Sequence, residues 1–141
     1  MTDFMKLLGT ITALLVLFSA FNYLIKGINK KYRKEIQTSK YKNVFNILMK
    51  FTVKNHKLLG LLAIVTGSVH GLYQLNAYGY QIGIGFILAG VTTLTFIYIQ
   101  GILGIYGYKI KKSKRGLWFY NHRFVAVIIL LALVLHKTLL G

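Results

Sequence analysis

The chain has four histidines, and all obey one spacing: His56 is followed by His70, and His122 by His136, fourteen positions on in each case. Imidazole is a metal ligand and, near neutral pH, a proton carrier. Each first histidine stands in an Asn-His-basic triplet, Asn55-His56-Lys57 and Asn121-His122-Arg123, and the two sets are offset by 66 positions at every marker. Fourteen residues of α-helix rise about 21 Å and make about four turns, so each pair lies near one helix face with its members toward opposite sides of a membrane. Two such helices running in the same direction pair His56 with His122 and His70 with His136. A planar iron porphyrin takes axial nitrogens on its two faces, so this set suits two b-type haems held by coordination and packing and stacked across a bilayer.

Helices of spanning length are written in the composition. The 141 residues are 55% hydrophobic, with no proline, no cysteine and a mean hydropathy of +0.57. That places the chain among membrane proteins, as a single domain over 1–141. Four apolar stretches are long enough to span, at about 4–25, 53–75, 82–108 and 117–140, with a basic link at 26–52. The expected fold is all-α: a four-helix transmembrane bundle with two haems stacked across the membrane. One full hairpin separates the second and fourth spans, so they cross in the same direction.

Composition also excludes chemistry. Without cysteine there is no thiolate-ligated iron–sulfur cluster, no disulfide and no covalent attachment of a c-type haem. The only acids are Asp3 and Glu35, which leaves no carboxylate-bridged di-metal site, no intramembrane carboxylate relay and no paired-carboxylate hydrolysis.

A net charge of +16 invites a nucleic-acid reading, but its distribution opposes one. Of eighteen Lys and Arg residues, ten lie between Lys26 and Lys57 and six between Lys109 and Arg123, whereas Gly71–Gln81 has none. By the positive-inside rule both basic links are cytoplasmic, and both termini and the Gly71–Gln81 loop are outside a bacterial-type cell membrane. The expected neighbours are membrane lipids, with anionic headgroups against Asn29–Lys42, and no nucleic acid. Residues Val44–Phe51 mix apolar and cationic positions at helical spacing, which fits either an amphipathic surface helix or an inward extension of the second span. A cleaved signal peptide is the weaker reading of the N-terminus: Asp3 stands beside Lys6, no Ala-x-Ala site follows Ser19-Ala20, and the apolar run continues to Ile25.

Small residues stand one turn inward from every histidine: Gly60 and Gly67 on the second span, Ala126 and Ala132 on the fourth. They hollow the ligand face where a ring would lie. Gly90 and Gly104 on the third span repeat the fourteen-residue interval; close helix packing explains any single glycine equally well. Thr52 and Thr66, four residues before His56 and His70, are candidate acceptors for the second imidazole nitrogen, as are the backbone carbonyls of Trp118 and Ala132 for the other pair. Lys54, Lys57 and Arg123 near the inner site, and Lys137 near the outer one, are candidate partners for anionic haem propionates.

On His56, His70, His122 and His136, with Gly90 and Gly104 in support, the sequence resembles the four-helix di-haem core of b-type membrane cytochromes. These include respiratory cytochrome b, the ferric reductase and NADPH oxidase transmembrane domains, and small quinol-linked bacterial b cytochromes. The resemblance departs at the first span, which offers no clean glycine pair. It implies electron exchange with quinol or a redox protein, and a quinone as a further candidate cofactor; Tyr73, Gln74, Asn76, Tyr78, Tyr80 and Gln81 are the residues that would line its site. The expected function is therefore transmembrane electron transfer. The alternatives are a quinone-coupled oxidoreductase acting on superoxide or ferric iron outside the membrane, a His-lined metal or proton transporter, and a membrane anchor for a soluble partner. A homo-oligomer stays open.

Overall fold

The computed structural model of the chain describes residues 3–78, 83–110 and 115–138. Among them there are five helices: α1 (Asp3–Lys31), α2 (Arg33–Thr38), α3 (Lys42–Tyr78), α4 (Ile84–Lys109) and α5 (Arg115–Thr138). Four of these, all but the short α2, are long and apolar enough to cross a membrane. The Tyr80, Gln81 and Ile82 positions and the last three residues lie outside the described set.

The stretch expected as a basic link is mostly helix. It contains no proline and a single glycine, Gly27, so nothing stops α1 before Lys31. The chain reverses where Ser39 adopts extended backbone (φ −79°, ψ 155°) after α2. There the Ser39 hydroxyl donates to the Ile36 carbonyl at 3.0 Å and accepts from the Tyr41 N–H at 3.3 Å. From Lys42, α3 runs unbroken for 37 residues, about 55 Å of helix against a hydrocarbon core of about 30 Å. Val44–Phe51 is thus an extension of the second span and not a separate surface helix.

The packing order is cyclic. Helix α1 packs antiparallel on α3, α3 on α4, and α4 antiparallel on α5, while α5 returns to touch α1. No Cα of α3 comes within 8 Å of one in α5 among the described residues, so the two histidine-bearing helices are parallel and diagonal across the bundle. Close approach fixes the neighbours. A Cβ on Gly67 would lie 3.2 Å from the Thr12 methyl, and one on Gly101 only 2.7 Å from Ile64. Buried across the α1–α3 seam, the Thr12 hydroxyl donates to Thr66 at 2.9 Å.

The interior is narrow and mixed in polarity. Its buried apolar side chains are Met5, Ile25, Ala63, Ile97 and Ile129, and beside them lie Thr12, Asn22, Thr52, Gln74 and Thr93. Large apolar residues are instead exposed along the outer faces, such as Leu131 at 66% and Leu61 at 58%. In water such a surface would drive association; in lipid it is the expected exterior.

Candidate functional site

Diagonal placement turns the sequence spacing into two pairs. At the basic end the His56 and His122 rings meet with centroids 6.1 Å apart and planes at 77°. About four turns away, His136 lies close enough to His70 for the two rings to interact electrostatically. All four imidazoles are half-buried. The backbones of α3 and α5 stay apart while their histidines reach across the gap.

Helix α1 orients the α3 histidines. The Nδ1–H of His56 donates to the Ser19 carbonyl at 3.1 Å, with the Ser19 hydroxyl 3.0 Å away. The Nδ1–H of His70 donates to the Met5 carbonyl at 3.0 Å. A carbonyl only accepts, so in both residues the proton sits on Nδ1 and the Nε2 lone pair is left to coordinate or accept. The expected acceptors on α3 itself do not serve: Thr52 donates to the Met49 carbonyl and Thr66 to that of Leu62. In a helix a threonine hydroxyl finds its own preceding turn first, and the Nδ1 atoms find the adjacent helix.

The α5 side differs. At His122, the Gln100 amide nitrogen is 3.2 Å from Nε2, and the Trp118 ring stacks on the imidazole at 5.1 Å and 23°. Trp118 is itself fixed, donating from Nε1 to the Leu103 carbonyl at 2.6 Å while its ring fills the space over Gly107. Sequence reasoning passed over Gln100 and took from Trp118 only its backbone carbonyl, although Gln100 and the Trp118 ring each carried a signal. Gln100 is an amide in an apolar run, four residues before Gly104, and Trp118 precedes His122 by four.

Glycine placement is partly as expected. A Cβ on Gly90 would stand 3.3 Å from His136 Cε1, and one on Gly104 3.9 Å from His122 Cε1. The matched pair on α4 therefore faces the α5 histidines. A Cβ on Gly9 of α1 would come within 2.8 Å of His70 Cε1, so Gly9 does for His70 what Gly90 does for His136. The α3 glycines act otherwise. Gly67 is filled by Thr12 and Leu94, and Gly60 faces Ser19 Oγ at 4.0 Å; both let helices approach. Ala132 opens with Gly85, Leu88, Ala89, Thr92 and Leu135 onto a 280 Å³ cleft along the α4–α5 seam. Ala126 is half-buried one turn inward from His122.

The cations lie at the rim. Lys57 and Lys137 are exposed. Arg123 is exposed too, with its guanidinium 4.7 Å from the Tyr23 ring centre and 5.4 Å from that of Phe119, tying α5 to α1 through cation–π contacts. Asn22 Oδ1, Gln74 Nε2, Gln100 Oε1 and His122 Nδ1 are buried with no hydrogen-bond partner among the described residues.

Chemically, each pair offers two nitrogen donors and nothing more. No group of three or more His, Cys, Asp or Glu that could hold a metal ion occurs among the described residues, and a bare transition-metal ion in a structural or catalytic site takes at least three such ligands. Two facing imidazoles suit a metal whose other positions are already filled. Comparison with protein-family models, with curated proteins and with solved structures gives no match for this chain.

Proposed function

We propose that the chain is a di-haem b-type cytochrome that carries electrons between the two faces of a membrane. His56 and His122 hold one haem b toward the cytoplasmic side, and His70 and His136 hold the other toward the outer side. The observation that carries this reading is the approach of imidazoles from diagonal helices whose backbones do not touch. The His56 and His122 ring centroids are 6.1 Å apart, near enough for a nitrogen of each to reach one metal between them.

The protein's own part is orientation and insulation. Ser19 and the Met5 carbonyl fix the α3 imidazoles with Nε2 turned to accept a metal, Gly9 and Gly90 clear space beside His70 and His136, and the apolar exterior keeps water from the path. When bound, the two macrocycles supply one-electron redox chemistry. Basic links on the cytoplasmic side set the orientation by the positive-inside rule, with both termini outside. Quinol or a redox protein is the partner class, and an outer oxidant such as superoxide or ferric iron would make the same conduit a quinone-coupled oxidoreductase.

Two measurements test the proposal. The purified chain in detergent should give a b-type pyridine-haemochrome spectrum with two haems per chain. Reconstituted into sealed vesicles, it should let an impermeant external reductant reduce ferricyanide trapped inside. A colourless protein that takes up no hemin, or vesicles no leakier to electrons than empty ones, would refute it.

Gln100 marks a difference between the two sites that can be tested separately. Its amide holds the His122 nitrogen that an iron needs, so uptake at the inner site must displace one neutral hydrogen bond, worth about 1 kcal/mol. Gln100→Leu should therefore tighten hemin binding at that site about fivefold in a titration, with the outer site unchanged. Weaker binding would mean that the amide supports the bound state instead.

A further inference from the structure

Gln74 is 93% buried, since its exposure is 7%, and its amide Nε2 has no hydrogen-bond acceptor among the described residues. A buried amide donor without a partner is costly, and such groups are rare enough in folded proteins to need a reason. Its place in the helix supplies one. Gln74 follows His70 by four residues, so it stands on the same face of α3, about one turn nearer the end of the bundle.

We infer that Gln74 is the donor that receives the carboxylate edge of the macrocycle held by His70 and His136. This rests on the di-haem reading and adds to it a residue for the polar end of the outer ligand. The two ends of the bundle make the assignment asymmetric. Near His56 and His122 stand Lys54, Lys57 and Arg123, so an anionic group at that end meets cations at the rim. Near His70 and His136 the sequence offers only Lys6 and Lys137, both exposed. Among the orphaned side-chain amide atoms, Asn22 Oδ1 and Gln100 Oε1, toward the basic end, are acceptors that gain nothing from a carboxylate, whereas Gln74 Nε2 is a donor that does; the orphaned donor at the basic end, His122 Nδ1, belongs to a ligand ring itself. An N–H bonded to an ionised oxygen is stronger than one bonded to a neutral group, so a carboxylate satisfies this amide better than a quinone carbonyl, the other acceptor that could reach it.

The test removes the carboxylates from the ligand and the amide from the protein in turn. Full-length wild type, Gln74→Leu and Gln74→Glu are loaded in detergent with hemin or with hemin dimethyl ester, and release to apomyoglobin is followed by absorbance. The release phase that is missing in His70→Ala marks the outer site. Hemin should leave that site about tenfold faster from Gln74→Leu than from wild type, and faster again from Gln74→Glu, where two carboxylates face each other. The dimethyl ester should leave wild type and Gln74→Leu at equal rates. Equal acceleration of hemin and ester by Gln74→Leu, or no acceleration of either, overturns the assignment. So does unchanged hemin release combined with a raised KM for quinol-driven reduction, which gives Gln74 to a quinone. Wild type that binds no hemin in the phase tied to His70 brings down the di-haem reading itself, and that result is read before any Gln74 variant is compared.

Discussion

Under the di-haem reading, replacing His56 or His122 with alanine should remove one haem per chain and replacing His70 or His136 the other, so that four single variants sort into two spectral classes and each retains half of the pyridine-haemochrome signal. The pairing follows from the diagonal arrangement. If the histidines bound in sequence order, His56 with His70 and His122 with His136, each ligand would have to bridge about 21 Å of one helix. The contact between His56 and His122 at 6.1 Å removes that option. With one imidazole of a pair gone, the other would be the only protein ligand left to a haem there, and the low-spin spectrum of that site should disappear even where some pigment is kept. The effect on the remaining haem should be small, because no histidine is shared. A variant such as His56→Ala that lost both haems while keeping its helical circular dichroism would contradict two independent sites. Two haems retained in all four variants would contradict the ligands altogether.

The histidine pattern was legible in the sequence because ligand spacing along one helix is set by the helical period alone. Fourteen residues nearly close on four turns, and the offset of 66 positions repeats that geometry on the second helix. The matched glycines Gly90 and Gly104 were legible for the same reason: α4 packs along α5 with little drift over that length. Helix α1 was not. Its carbonyl contacts to the α3 histidines, Met5 to His70 and Ser19 to His56, do keep the fourteen-residue interval, but a backbone carbonyl belongs to any residue type and leaves no mark in the sequence. The glycine contact, Gly9 against His70, is not matched by a second glycine fourteen residues on, so the first span shows no glycine pair. The helix ends were not legible for another reason. Lysine and asparagine at 26–52 mark where the chain leaves the hydrocarbon, but leaving lipid does not end a helix; only a turn such as Ser39–Tyr41 does. Helix therefore continues past the histidines at the basic end. α3 continues for about 21 Å beyond His56, while α5 continues for about 10 Å beyond His122.

Gly9→Leu should abolish the outer haem while sparing the inner one, and Gly104→Ala should spare both. The contrast is decided by distance. At Gly9 even a single Cβ would stand 2.8 Å from His70 Cε1, 3.1 Å from Nε2 and 3.2 Å from Nδ1, facing the ring broadside. The ring cannot retreat without giving up the bond from its Nδ1–H to the Met5 carbonyl, which sets both its tautomer and its direction. A leucine there adds three further carbons, so His70 must change rotamer and its Nε2 leaves the direction that the Met5 hydrogen bond sets. Gly104 is the opposite case: an added Cβ lies 3.9 Å from His122 Cε1, ordinary van der Waals contact that an alanine fills without displacing anything. Gly90 is intermediate at 3.3 Å from His136 Cε1; alanine there should weaken hemin at the outer site by a few-fold, while valine should mimic Gly9→Leu. The readouts are haem stoichiometry and hemin titration, with thermal melting of the apo-chain followed in parallel. Melting separates the two causes. Helix packing alone predicts that Gly9→Leu destabilises the bundle and both sites together, whereas clearance for an axial ligand predicts that one site is lost and the other binds as before.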